Sequence, residues 1–386
     1  MSVATGLDRV AAGGVLIEGR AGLLAHPASV DRRLRHARTV LAEAGAEVVA
    51  IFGPEHGYGG EAQDMVEVGD LYDPDGVPIH SLYGSTKETL SPTPAQLEGL
   101  DVLVVDLQDV GSRYYTYVWT AALALVAAAR AGVRTMVLDR PNPLGGAFVE
   151  GAPQRPGHRS FVGLYDVAVR HGMTIGELAT MVRELEGLDA DALEVVELLG
   201  WDRARTFEHT GLPWVLPSPN MPTLDTARVY PGGCLIEGTA LSEGRGLTRP
   251  FEIWGAPGLD GRALAARVAL EGATLRPTTF QPTFHKHGGK ICGGVQVHVD
   301  DPRAFRPYEA YLRLLAEARA LLGDAFAWRH APYEFVEEIP AFDLLTGGPE
   351  ARRAIERGRG LDEVLASERE GAARFAEARR AWLRYA

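Results

Sequence analysis

AGAEVVAIFGPE (residues 44–55) and AGVRTMVLDRPN (residues 131–142) align without a gap. Each begins with Ala-Gly, a pair suited to ending a helix. Each continues as a short apolar run rich in β-branched side chains, the pattern of a buried strand. Each then leaves through a loop containing proline, which cannot donate to a strand ladder. The surrounding residues extend the pattern. Residues 31–45 read as a helix, with Leu34, Ala37, Val40, Leu41 and Ala44 at helical spacing, Asp31 as its cap and Gly45 as its end. GLLAHPAS (22–29) and DVLVVDL (101–107) read as further strands, and an alanine-rich helix is expected over 118–131. A helix over 173–187 starts with Thr174 and Glu177 placed as a capping box. Near-continuous apolar strands alternating with helices predict a parallel sheet covered on both faces, a doubly wound α/β fold. Ligands of such sheets gather beyond the carboxyl ends of the strands. Glu55 and Asn142 both stand there.

The second half changes character. Residues 195–260 are rich in proline and glycine, GGVQVHVDD (293–301) reads as an exposed or edge strand, and a long helix follows over 305–322. A boundary is expected near residue 190, dividing the chain into an α/β domain (1–190) and a second, smaller α+β domain (191–386). No linker of disordered composition separates them, so the two should pack closely.

The chain has 386 residues, 46% hydrophobic and 23% charged, with a formal net charge of −12. No Lys/Arg cluster forms a basic face, so nucleic acid is not an expected partner. No apolar run is long enough to span a membrane, and MSVATGLDRVAAGG lacks the pattern of a signal peptide. A cytoplasmic location is the expectation. The two cysteines, Cys234 and Cys292, are read as reduced, buried thiols.

Four stretches carry candidate chemistry. In GPEHG (53–57), Glu55 is a general acid, a metal ligand, or a loop carboxylate bonded to nearby amides. His56 beside it reads as structural on its own and as a substrate contact in company. In LQDVGSRYYTYVWT (107–120), Asp109, Arg113, Tyr114, Tyr115 and Tyr117 suit a sugar face with an anionic group. The alternative there is that Asp109 caps the next helix and two of the tyrosines are core. DRPNPLGG (139–146) places Asp139 and Asn142 past a strand end, or is simply a rigid turn. The stretch 217–252 reads as an irregular coil bearing Asn220, Asp225, Glu237, Glu243, Arg245 and Arg249, where a second catalytic carboxylate would be sought. The glycine fingerprint of dinucleotide binding, the P-loop and the G-x-S-x-G elbow are all missing. HKH (285–287) with His56, Asp106 or Asp109 lacks metal-ligand spacing, so neither cofactor nor metal is expected.

With FGPEHG (52–57), SLYG (81–84), DLQDVGSRYYTY (106–117), LDRPNPLGG (138–146), RHGMTIGELA (170–179), PSPNMPTLDTARVYPG (217–232), EGTALSEGRGLTRPFE (237–252) and GGVQVHVDD (293–301), the chain resembles the exo-acting β-N-acetylmuramidases of the NamZ type. These motifs run in order through nearly the whole chain. The resemblance implies a Rossmann-like N-terminal domain, a smaller C-terminal one, and an active site in the cleft between them. It implies removal of terminal N-acetylmuramic acid from the non-reducing end of peptidoglycan fragments, with Glu55 as the catalytic acid. Asp109, Arg113, Asn142, Asn220, Glu243 and Arg245 are carried over as residues within shared motifs. Many relatives bear a signal peptide whose pattern is not seen here, which leaves two substrate pools open: recycled muropeptide sugars inside the cell, or fragments outside it reached by another export route.

These readings combine into one expected mechanism. Glu55 protonates the glycosidic oxygen, and Asp109, Glu243 or the substrate's own acetamido group completes the reaction. Arg113 or Arg245 holds the lactyl carboxylate, while His56, Tyr115, Asn142 and Asn220 contact the sugar. The competing readings are a metal-dependent amino-sugar hydrolase or deacetylase, and a muropeptide-binding protein without turnover.

Overall fold

The computed structural model describes residues 2–386. Its larger sheet has seven strands: β1 (Arg20–Ala25), β2 (Glu47–Gly53), β3 (Leu71–Tyr72), β4 (Pro78–Ser81), β5 (Val102–Asp106), β6 (Arg134–Leu138) and β7 (Leu193–Val196). They stand in the order β3-β4-β2-β1-β5-β6-β7, all parallel except the short edge strand β3. The connecting helices are α1 (Gly6–Ala11), α2 (Ala37–Glu43), α3 (Pro94–Leu97), α4 (Tyr117–Arg130) and α5 (Ile175–Leu185).

Alternation along the strands assigns each helix to a face. Leu23, Ile51, Val102 and Val104 pack with Leu7 and Val10 of α1 and Val40 and Leu41 of α2. Their strand neighbours Leu24, Phe52, Leu103 and Val105 pack on the other side with Val118 and Leu125 of α4 and Leu178 and Val182 of α5. The doubly wound reading therefore holds. The Thr174–Glu177 capping box starts α5 as expected.

The order of strands reverses between β1 and β5, where a doubly wound sheet normally opens a ligand crevice. Here the chain fills it. His26, at the end of β1, meets the Pro217 carbonyl with Nδ1 at 3.1 Å and accepts the Gln108 amide on Nε2 at 2.9 Å. Tyr117 donates to the same carbonyl at 2.8 Å. The open space lies one strand further out, beyond β2.

The second half contributes α6 (Leu224–Gly233), β8 (Ile253–Ala256), α7 (Gly261–Arg267), β9 (Ala273–Phe280), β10 (Cys292–Val299), α8 (Pro307–Leu322), α9 (Ala341–Thr346), α10 (Glu350–Arg357) and α11 (Leu361–Ala378). The smaller sheet is antiparallel in the order β8-β10-β9. β7 follows residue 190 yet still pairs with β6. Trp254, Val295, Leu312 and Phe342 of this half belong to the same apolar cluster as Leu24, Phe52 and Leu103 of the large sheet. Cys234 and Cys292 are buried free thiols.

Three local expectations are corrected. The helix after β1 starts at Ala37 with His36 as its cap. Asp31 is instead engaged by the Arg33 and Arg35 amides and the Arg35 side chain, and Leu34 turns outward with a φ of 63°. The stretch 217–252 is not all coil, because α6 and a 3₁₀ turn occupy 224–238. Gly232 serves packing there: a Cβ would lie 2.1 Å from the Pro307 carbonyl oxygen, so glycine lets α6 approach the start of α8. Finally, 293–301 forms most of the central strand of the small sheet, paired on both sides, rather than an edge.

Candidate active site

Glu55 is positioned by backbone that its glycines make possible. β2 ends at Gly53, where a Cβ would lie 2.5 Å from the Tyr58 amide. The chain then turns back through His56 (φ 72°) and Gly57 (φ 84°), closed by the Gly57 amide donating to the Pro54 carbonyl at 2.9 Å. The turn presents Glu55 toward the start of α4. Thr116, the residue before that helix, donates its hydroxyl to Glu55 Oε2 at 2.7 Å, and the Met65 amide reaches Oε1 at 3.3 Å. A carboxylate at the positive end of a helix is favourably placed.

A cavity of about 40 Å³ lies beside Glu55. Tyr115, Thr116 and Tyr117 form its wall from the large sheet, and Asn220, Glu237, Arg245, Tyr333 and Glu334 close it from the other half of the chain. Four carboxyl groups line it (Glu55, Asp64, Glu237 and Glu334), with the guanidinium of Arg245 among them. The environment separates their proton affinities. Burial, and then the charge of Glu55, push the Glu334 pKa well above the usual carboxylate range, with the Tyr83 hydroxyl 3.2 Å away partly opposing them. Burial likewise raises Asp64, against the pull of Arg245. Burial also works against the charge of Arg245, yet Glu237, Asp64 and Glu243 outweigh it and keep its pKa high. Arg245 meets Asp64 at 3.1 Å, Glu237 at 2.7 Å and Glu243 at 3.2 Å. Roomier hollows of about 390 and 350 Å³ elsewhere are lined by none of the candidate residues.

Residues 21–225 match the family described as exo-β-N-acetylmuramidase NamZ, N-terminal, and residues 228–385 match its C-terminal counterpart. The chain belongs to the NamZ family. Among curated proteins it is 43% identical over 371 residues to the peptidoglycan β-N-acetylmuramidase NamZ of Bacillus subtilis, covering 95% of this chain and 87% of that one. Two solved structures of DUF1343 family proteins from Bacteroides fragilis share the fold. One is 32% identical with a TM-score of 0.89 and the other 30% with 0.77, each covering 100% of this chain and 99% of its own.

The NamZ motifs do not all converge on the cavity. Glu55, His56, Tyr115, Asn220 and Arg245 line it. His56 is held by its Nδ1 against the Ala62 carbonyl at 2.8 Å, and Asn220 donates to Gln63 at 2.8 Å. Asp109, Arg113, Asn142 and Glu243 lie outside its lining. Asp109 accepts the Gly111 amide at 2.7 Å and faces His171 Nε2 at 3.3 Å. The Met173 amide donates to His171 Nδ1 at 3.1 Å, which leaves Nε2 turned toward Asp109. Asp109 therefore organises its own loop; Thr116, not Asp109, precedes α4. Arg113 is fully buried and donates to the Ala152, Val167 and Leu345 carbonyls at 2.9, 3.0 and 2.6 Å, leaving little for an external anion. Asn142 ties two backbone segments, donating to Met173 O at 2.9 Å and accepting from Leu144 N at 3.0 Å. Glu243 is fully buried, with Lys286 and His285 each at 3.0 Å; burial is overcome by Lys286, His285 and Arg245, which drive its pKa well below the usual range.

Two further points complete the site. His285 is spent on Glu243 and His287 on the Ala240 carbonyl, and among the described residues no group of three or more His, Cys, Asp or Glu side chains could hold a metal ion. Among the described residues, too, no helix is long and apolar enough to cross a membrane. Sequence reasoning missed Asp64, Thr116, Tyr333 and Glu334. Only Thr116 carried a signal, as a potential cap directly before an alanine-rich helix.

Proposed function

We propose that the protein is a glycoside hydrolase that releases terminal N-acetylmuramic acid from the non-reducing end of small peptidoglycan-derived fragments. The observation that carries this is the match to the Bacillus subtilis peptidoglycan β-N-acetylmuramidase, 43% identical across 95% of the chain. The cavity chemistry supports it. Glycoside hydrolysis needs one carboxyl to protonate the leaving oxygen and a second group to meet the developing positive charge at the anomeric carbon. Glu55 and Glu334 are two carboxyls of one cavity, and the charge of one raises the proton affinity of the other. Their different surroundings suit the two to different roles, one donating to the leaving oxygen and one facing the anomeric carbon.

Glu55 acts as the general acid, the role its NamZ motif implies, with the Thr116 hydroxyl fixing its orientation. Glu334 takes the role of second carboxyl that the sequence reading sought at Asp109 or Glu243. Those two residues are engaged outside the cavity and serve the scaffold, as do Arg113 and Asn142. Tyr115 and Asn220 contact the sugar. The test is turnover of a chromogenic muramide by wild type, Glu55→Gln and Glu334→Gln. Each substitution should lower kcat by about 10² to 10⁴, the usual worth of a positioned acid or base. Near-normal kcat in folded Glu55→Gln would remove it as the acid.

A further inference from the structure

Residues 63–65 occupy the candidate site with groups of the chain itself. The Gln63 side-chain oxygen accepts from Asn220 at 2.8 Å, Asp64 pairs with Arg245 at 3.1 Å, and the Met65 amide donates to Glu55 at 3.3 Å. Three consecutive residues thus satisfy three separate members of the site. The space left over is about 40 Å³, whereas sites for small molecules run to about 300–1,000 Å³. A muramoyl ring fits only after these residues withdraw.

Their tethers suit withdrawal. The Ala62 amide reaches the His56 carbonyl at 3.3 Å, Val66 reaches Gln63 at 3.3 Å, and Val68 reaches Tyr83 at 3.2 Å. These are the long end of the hydrogen-bond range. Met65 sits at a φ of 56°, an unfavourable conformation for a side chain of that size. Met65 and Val66 are also exposed.

The three carboxylates around Arg245 are not equally held. Glu237 also accepts the Tyr333 hydroxyl at 2.7 Å, and Glu243 is also paired with Lys286 and His285. Asp64 makes no second ion pair among the described residues, and His285 acts on it only at longer range. It is the one anion of the three whose side chain is held in the site by the Arg245 ion pair alone. Its departure would leave a buried guanidinium short of a partner, a heavy cost unless another anion arrives.

We propose that Arg245 is the specificity-determining residue of the site and that Asp64 is its resident anion, exchanged on binding for the lactyl carboxylate of N-acetylmuramic acid. This rests on the proposed muramidase function. A muramoyl sugar replaces a carboxylate with a carboxylate. A neutral amino sugar displaces Asp64 and offers Arg245 nothing in return.

The experiment compares dissociation constants of N-acetylmuramic acid and N-acetylglucosamine, which differ only in the lactyl ether, by titration calorimetry. Wild type, Asp64→Asn and Arg245→Lys are measured. Asp64→Asn removes the tethered competitor, so both sugars should bind about 3–10-fold tighter, with their ratio kept. Arg245→Lys loses the planar fork that a carboxylate fits, so the preference for the muramic sugar should shrink at least fivefold. Weaker or unchanged binding in Asp64→Asn would make Asp64 a structural partner of Arg245 and overturn the exchange. An unchanged ratio in folded Arg245→Lys would assign the lactyl group to another residue. If wild type cleaves no muramide and binds neither sugar, the proposed function itself fails, separately from the exchange.

Discussion

His26 provides a quantitative test of how the crevice between β1 and β5 is filled. Its ring is completely buried, joining the Pro217 carbonyl to the Gln108 amide. Burial, reinforced by Arg140, lowers its pKa from 6.5 to about 3. The unfolded chain binds this proton below about pH 6.5, while the folded one resists it until about pH 3. Stability is therefore lost as pH falls through that window, at about 1.4 kcal/mol per pH unit. Between pH 8 and pH 5 the wild type should lose about 2 kcal/mol through this residue alone. His26→Gln keeps one acceptor and one donor at similar reach without a titrating group. It should cost about 1–2 kcal/mol at pH 8 through imperfect geometry, and that deficit should shrink by about 2 kcal/mol at pH 5. Urea unfolding at both pH values, followed by tryptophan fluorescence and circular dichroism together, measures the difference. The reasoning is refuted if the gap between variant and wild type is the same at both.

Two other substitutions test the scaffold. Arg113→Met strands three buried carbonyls, so unfolding free energy should fall by about 3 kcal/mol at roughly 1 kcal/mol each. Any folded Arg113→Met should keep the wild-type preference for muramides over glucosaminides, which a direct role in binding the lactyl group would abolish. Gly232→Ala forces a methyl group against Pro307 O, 2.1 Å from the ideal Cβ position, and should cost about 1–3 kcal/mol, read as a lowered Tm.

What the sequence revealed was local. Strands β1, β2, β5 and β6 were legible because a buried parallel strand writes itself as a continuous apolar run. Glu55 was legible because a strand end, a proline and four nearby glycines isolate it. The start of α2 was misread because Leu34 keeps helical spacing while Asp31 draws the Arg33 and Arg35 amides into a different turn. The inward course of Arg113 was not legible, because sequence reports a side chain's charge but not its direction. Glu334 was invisible: it arrives from a loop distant along the chain, in APYEFVEEIP, a stretch with no local signature. Its proton affinity depends on Glu55, a neighbour that only folding supplies.

The apolar cluster that runs unbroken from Leu24 and Phe52 to Trp254 and Phe342 sets the mechanics of catalysis. Many cleft enzymes admit substrate by swinging two lobes about a hinge. Here such a swing would pull apart a continuous hydrophobic interior, and interfaces of that kind resist relative motion. The jaws are welded. On the exchange proposed at Asp64, access comes from a small part moving within a stiff frame, which places control of substrate entry in a few residues rather than in the whole molecule. Engineering for speed or for bulkier fragments should begin in residues 61–68, and grafting one half onto another family member would disturb the interior before it altered the chemistry.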